Sequence, residues 1–130
     1  MAQEVRYENA GTFEFLVDAR AGERFAFIEA NARLQVEHTV TEEVLGIDLV
    51  RAQLRIASGA TLAEIGLQEN ALLRPRGYAV QLRVNMESMQ REGTTRPTSG
   101  TLSAFEPPAG PGVRVDSFGY AGYRTSPAFD

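Results

Sequence analysis

Residues 25–43 read FAFIEANARLQVEHTVTEE, and most of this stretch alternates. Odd positions carry Glu29, Asn31, Arg33, Gln35 and Glu37, and even positions carry Ile28, Ala30, Ala32, Leu34 and Val36. Successive side chains of an extended chain point to opposite faces. An extended segment would therefore set five hydrogen-bonding groups on one face and a small-to-medium apolar row on the other. Ordinary half-buried strands alternate too, and a solvated strand face is the bland reading. Their outward residues are usually an unrelated mix of Lys, Thr, Ser and Glu. Here the polar face combines two carboxylates, one guanidinium and two amides. That set can hold a metal ion, clamp an anion and move a proton.

The residues on the N-terminal side complete a hairpin. Residues 11–17 are rich in aromatic and β-branched types, residues 18–22 supply turn chemistry, and residues 24–30 read as the returning strand. Symmetry about Ala21 and Gly22 puts Glu14 directly across from Glu29. Two carboxylates paired across a ladder repel unless a cation or an arginine sits between them. A register one or two residues away would keep them apart.

Beyond the alternating stretch the period changes. Thr39 and Glu42 have capping-box spacing, with Thr39 as N-cap. Gly46 interrupts the helix that follows and Asp48 restarts it. Ile47, Val50, Leu54 and Ala57 then recur at helical spacing, and Leu45, Leu49, Ala52 and Ile56 widen the stripe. Such a helix packs on a core, and Gly59 is its natural stop. Arg51 and Arg55 read as a solvated face. Residues 61–76 form a connector with room for one short helix, its Leu62, Ile65, Leu67, Leu72 and Leu73 lying against the body. Residues 78–87 alternate again, with Val80, Leu82, Val84 and Met86 on one face and Arg83 on the other. Residues 88–100 read as a loop, and residues 101–105 and 113–117 as two strands.

Composition closes off several classes. A net charge of −4 argues against a nucleic-acid partner. No apolar run approaches the roughly 20 residues of a membrane span, and residues 1–5 show no signal-peptide pattern. With no cysteine there is neither a disulfide framework nor a thiolate metal site. A cytoplasmic or organelle-matrix protein fits.

The stretch FIEANARLQVEHTVTEEVLGIDLVRAQLRIASG resembles the biotin carboxylase signature F-I-E-x-N-x-R-x-Q-V-E-H, followed by T-E and G-x-D-L. The resemblance runs from residue 11 to residue 123. It implies an α+β fold: antiparallel strands with one or two packed helices, residues 1–72 ending an ATP-grasp domain and residues 73–130 opening the biotin carboxylase C-terminal domain. Most of the ATP-grasp fold would precede residue 11, and the family's chain continues beyond residue 130, as if this were a piece of a longer polypeptide. ATP, Mg²⁺ or Mn²⁺, and biotin on a carrier protein are the implied cofactors and substrates. A biotin carboxyl carrier domain and a carboxyltransferase are the implied partners.

The resemblance also implies roles. Glu14 and Glu29 match the glutamates that hold the ions bridging the ATP phosphates, with Asn31 in support. Arg33 suits bicarbonate and carboxyphosphate, with a structural ion pair to Glu29 or Glu37 as the alternative. Glu37 matches the base that deprotonates bicarbonate, and Gln35 and the backbone around Val36 would help hold that anion. Arg83 matches the residue that stabilises charge on the biotin ureido oxygen, where an ordinary surface arginine is the alternative. His38 falls on the apolar side and reads as structural. The chain has no glycine-rich phosphate loop, no lysine and no biotin-attachment sequence. Two expectations follow. As part of an ATP-dependent ligase the chain would be inactive alone, and it would self-associate through apolar surface such as the Leu45, Leu49 and Ile56 side of the helix. The other reading is a stand-alone, non-catalytic binding module that keeps the motif.

Overall fold

In a computed structural model, residues 2–20, 24–68 and 74–128 are described. The chain divides into two units, Met1–Gln81 and Leu82–Asp130.

The first unit opens with an antiparallel hairpin of β1 (Thr12–Val17) and β2 (Phe25–Asn31). Aromatic and β-branched residues favour this pleated surface. Asp18 begins the turn: its Oδ1 accepts from the Arg20 N–H at 2.9 Å, and its own N–H donates to the Arg24 carbonyl at 2.9 Å. Ala21 and Gly22, the centre of the expected symmetry, lie outside the described residues. Thr12 pairs with Asn31, Phe13 with Ala30 and Glu14 with Glu29. The register then shifts, so that Phe15 pairs with Phe27 and Val17 with Phe25. Ile28 is the extra residue of a bulge.

β2 ends at Asn31, opposite the first residue of β1. The extended reading of residues 28–37 is therefore corrected beyond that point. With no ladder to continue, the chain bends at Ala32 and Arg33 and turns at Val36 and Glu37. Arg33, Gln35 and Glu37 are not on the strand face.

Helix α1 spans His38–Leu45, with Glu37 in helical geometry as its N-cap and no side-chain cap. The expected capping box at Thr39 does not form, because the helix starts earlier. Gly46 ends α1 in the left-handed conformation (φ 66°), where glycine carries no Cβ penalty. Asp48 caps α2 (Leu49–Ala57), accepting from the Arg51 N–H at 2.7 Å. Gly59, with φ 92°, follows the Ser58 C-cap. The expected stop and restart are both borne out.

The apolar stripe of α2 is not buried as expected. Leu49, Ala52 and Ile56 are half-buried, but Val50 and Leu54 are exposed. Among the described residues no hydrophobic side chain is fully buried, and the two buried residues are Glu42 and Thr125. Arg51 and Arg55 are exposed. A capping box does form at Thr61, where Glu64 Oε2 accepts from the Thr61 N–H at 2.8 Å and from its hydroxyl at 2.9 Å. It starts a turn over residues 62–66 rather than a helix. Leu72 and Leu73 lie outside the described residues.

In the second unit, β3 (Glu87–Met89) and β4 (Thr95–Pro97) form a short hairpin inside what reads as a loop. Gly93, at φ 84°, supplies the left-handed residue of its turn. The strand expected over residues 78–87 is assigned only from Glu87. Of the others, residues 101–105 keep one bridge, Thr101 to Arg124, and residues 113–117 form no strand. Alternation marks a strand only where a partner supplies the ladder. The bridge is reinforced by Thr125, whose Oγ1 accepts from the Gly100 N–H at 3.0 Å and donates to the Gly100 carbonyl at 3.1 Å. Phe118 and Tyr120 pack edge-on against Tyr123. No helix among the described residues is long and apolar enough to cross a membrane.

Candidate functional site

The hairpin register places the Glu14 and Glu29 carboxylates together. The Asn31 side chain bridges them, its Nδ2 donating to Glu29 Oε1 at 2.9 Å and to Glu14 Oε1 at 3.3 Å. Gln35 adds a longer contact, Nε2 to Glu14 Oε1 at 3.4 Å. Two like charges that would repel across a ladder are thus held by neutral amide donors. Gln35 Oε1 is buried without a hydrogen-bond partner. Among the described residues no group of three or more His, Cys, Asp or Glu is gathered. Two carboxylates and an amide are hard oxygen donors. They suit an ion such as Mg²⁺, which takes one or two carboxylates and completes its shell with water and phosphate oxygens. The donor set fits such an ion.

Residues 33–37 carry the anion-binding candidates on a bend and turn rather than a strand. Arg33 is exposed on the bend, and Glu37 is exposed at the N-terminus of α1. Three successive carbonyls of this turn are each engaged. The Gln35 carbonyl accepts from the His38 N–H at 3.2 Å and from His38 Nδ1 at 2.8 Å. The Val36 carbonyl accepts from Gln81 Nε2 at 2.8 Å. The Glu37 carbonyl accepts from the Val40 N–H at 3.1 Å. A carbonyl can only accept, so His38 Nδ1 carries the proton here, and the ring serves the backbone. Arg83 belongs to the second unit, where it is exposed.

Sequence reasoning missed two residues. Gln81 lies on the polar side of the alternating run 78–87, where nothing in the spacing sets it apart from a solvated amide. Glu42 was read as half of a capping box. It is instead buried, its Oε1 accepting from the Leu49 N–H at 2.6 Å.

Two family models match the chain. Residues 1–65 match the carbamoyl-phosphate synthase L chain, ATP binding domain. Residues 81–130 match the biotin carboxylase C-terminal domain. A pyruvate carboxylase from Aspergillus niger is 44% identical over the whole chain, which spans 11% of that protein. A biotin carboxylase from a Nostoc species is 46% identical over 99% of the chain, which spans 27% of it. Among solved structures, a biotin carboxylase domain of a single-chain bacterial carboxylase superposes with a TM-score of 0.83 at 54% identity. It covers 99% of this chain and 28% of its own. A single-chain, multi-domain long-chain acyl-CoA carboxylase gives a TM-score of 0.85 at 47% identity, covering 94% and 13%. The chain thus spans about a tenth to a quarter of the curated relatives it matches. With matches over both stretches and to carboxylases along the whole chain, the chain belongs to the biotin carboxylase family.

Proposed function

We propose that the chain is part of an ATP-dependent biotin carboxylase. That enzyme would use MgATP and bicarbonate to form carboxyphosphate and then carboxylate biotin on a carrier protein. Residues 1–72 would close the ATP-grasp domain and residues 73–130 open the C-terminal domain. The observation that carries this reading is the acid pair Glu14–Glu29, spanned by Asn31 inside the F-I-E-x-N motif.

Glu14 and Glu29, supported by Asn31, would hold the metal, whose charge would offset that of the ATP phosphates. Rotation of the Asn31 amide would turn its oxygen toward the ion in place of the nitrogen that now bridges the carboxylates. Arg33, Gln35 and the Val36 backbone hold bicarbonate, and the Glu37 carboxylate takes its proton. The freed oxygen attacks the γ-phosphate of ATP, and ADP leaves. Arg83 stabilises the negative charge on the ureido oxygen when biotin is deprotonated. A preorganised cation at a developing oxyanion is often the largest catalytic contribution. A carrier domain and a carboxyltransferase, in the cytoplasm, complete the pathway of the carboxyl group. The chain alone does not turn over.

The test is Glu37→Gln in the full-length carboxylase. Loss of a general base costs on the order of 100- to 10,000-fold. Bicarbonate-dependent ATP cleavage falls by that factor while nucleotide binding survives. Near-normal bicarbonate-dependent turnover removes Glu37 from the role. A phosphate-release assay on the isolated chain gives no bicarbonate stimulation above a heat-killed control.

A further inference from the structure

We infer that Gln81 is a positioning residue for the bicarbonate turn, acting through the peptide between Val36 and Glu37. The inference rests on the role proposed above for Glu37. In that turn the flanking carbonyls, of Gln35 and Glu37, are satisfied by groups three residues away, as any helix start provides. The Val36 carbonyl is different. Its donor is the Gln81 side chain, 45 residues along the chain, at 2.8 Å.

A peptide unit is planar, and none here is cis. Fixing the Val36 carbonyl therefore fixes the whole plane, including the direction in which the chain enters the Glu37 Cα. Glu37 is held at φ −70° and ψ −3°, so that plane sets where its side chain departs. Val36 is 56% exposed and cannot fix the turn by packing. The hydrogen bond from Gln81 does the work that a buried side chain would otherwise do. A carboxylate that must meet one proton of bicarbonate needs reach before it needs a pKa. Small misplacements at a reacting centre lose rate steeply. Gln81 also stands two residues before Arg83, so the segment that steadies the turn is continuous with the segment that carries the ureido-binding candidate.

Gln81→Met keeps the length of the side chain and removes the donor. Two measurements test the inference. The first is the NMR carbonyl shift of Val36 and the amide shift of Glu37 in the isotope-labelled chain. Both move in Gln81→Met, while the shifts of the hairpin residues around Glu14 and Glu29 stay in place. The second is steady-state kinetics of the full-length carboxylase. A neutral hydrogen bond of ordinary net strength corresponds to about two- to twelvefold in an equilibrium. The KM for bicarbonate rises by that factor, and the KM for MgATP does not change. An unmoved Val36 carbonyl overturns the inference whatever the enzyme does. A moved carbonyl with an unchanged bicarbonate KM overturns it as well. The Glu37→Gln enzyme is run alongside. If it keeps its bicarbonate-dependent turnover, the role of Glu37 fails and the positioning role built on it falls, whereas the shift data alone still report whether the tether exists.

Discussion

Glu42 is where a single carboxylate holds two helices in order. Its backbone carbonyl accepts from Gly46 N–H at 2.8 Å, ending α1, and its side chain accepts from Leu49 N–H at 2.6 Å, beginning α2. The Leu49 N–H is one of the four donors that a helix start leaves without an intrahelical partner. Asp48 satisfies another, on Arg51. Glu42→Leu removes the first acceptor and leaves that donor half-buried. Hydrogen bonds to charged groups contribute about 1.5–3 kcal/mol. At about 1.4 kcal/mol per factor of ten, the opening equilibrium of α2 rises roughly 10- to 150-fold. Asp48→Ala, a lost N-cap of about 1 kcal/mol, raises it about fivefold. Glu42→Gln keeps an oxygen of the same reach and falls below Glu42→Leu. The assay is amide hydrogen exchange read at Gln53 to Ile56, inside α2 and away from the altered contact. Unchanged exchange in Glu42→Leu, beside faster exchange in Asp48→Ala, would refute the reasoning.

Three further outcomes are expected. The Glu64 carboxyl is held below the ordinary carboxylate range, first by the backbone N–H of Thr61, then by its hydroxyl, with a smaller pull from Arg55; because the folded pKa is the lower one, the turn at residues 61–67 gains from it above the ordinary range and loses that gain as pH falls through the depressed value, and an NMR titration of Thr61→Ala shows the Glu64 pKa move up. Glu29→Gln in the full-length carboxylase raises the Mg²⁺ requirement, and an unchanged metal titration makes Glu29 a surface carboxylate only. The isolated chain self-associates through the exposed Val50 and Leu54 side of α2 rather than through the half-buried Leu45, Leu49 and Ile56 side, so light scattering shows a smaller species for Leu54→Glu, and a monomer in both proteins rejects the idea.

Much of the first unit was legible from residue spacing. Turn residues between an aromatic, β-branched run and an alternating one specified the hairpin, and Gly46, Asp48 and Gly59 punctuated the helices by well-understood backbone chemistry. The failures have physical causes. Alternation from Glu29 to Glu37 continues past the point where β1 can supply a ladder, and spacing alone does not say where a partner strand begins. The Thr39–Glu42 pair has the right separation, but α1 starts at His38, so Glu42 lies too deep in the helix to reach back to its cap and turns forward to α2 instead. Residues 78–86 alternate as a strand does, yet Val80, Leu82 and Val84 remain exposed. Of the candidate site, the acid pair could be read in advance. The Gln81 tether could not, since it joins groups 45 residues apart in the sequence.

The bulge at Ile28 explains how two strands serve two chemistries. Partners directly across a ladder share a face. With the register of Glu14 and Glu29 kept throughout, Phe25 and Phe27 would fall on the same face as the two carboxylates, as their odd numbering suggests. One extra residue reverses that. Phe27 now pairs with Phe15, and the ring of Phe15 packs edge-on against both Phe25 and Phe27 at 5.7 Å. The phenylalanines share the face of Phe13, while Glu14, Glu29 and Asn31 lie on the other, with Thr12, Leu16 and Ala26. With the rings turned away, the two carboxylates lie beside the Asn31 amide. The local break in the ladder thus turns Phe25 and Phe27 away from the face that carries the acid pair.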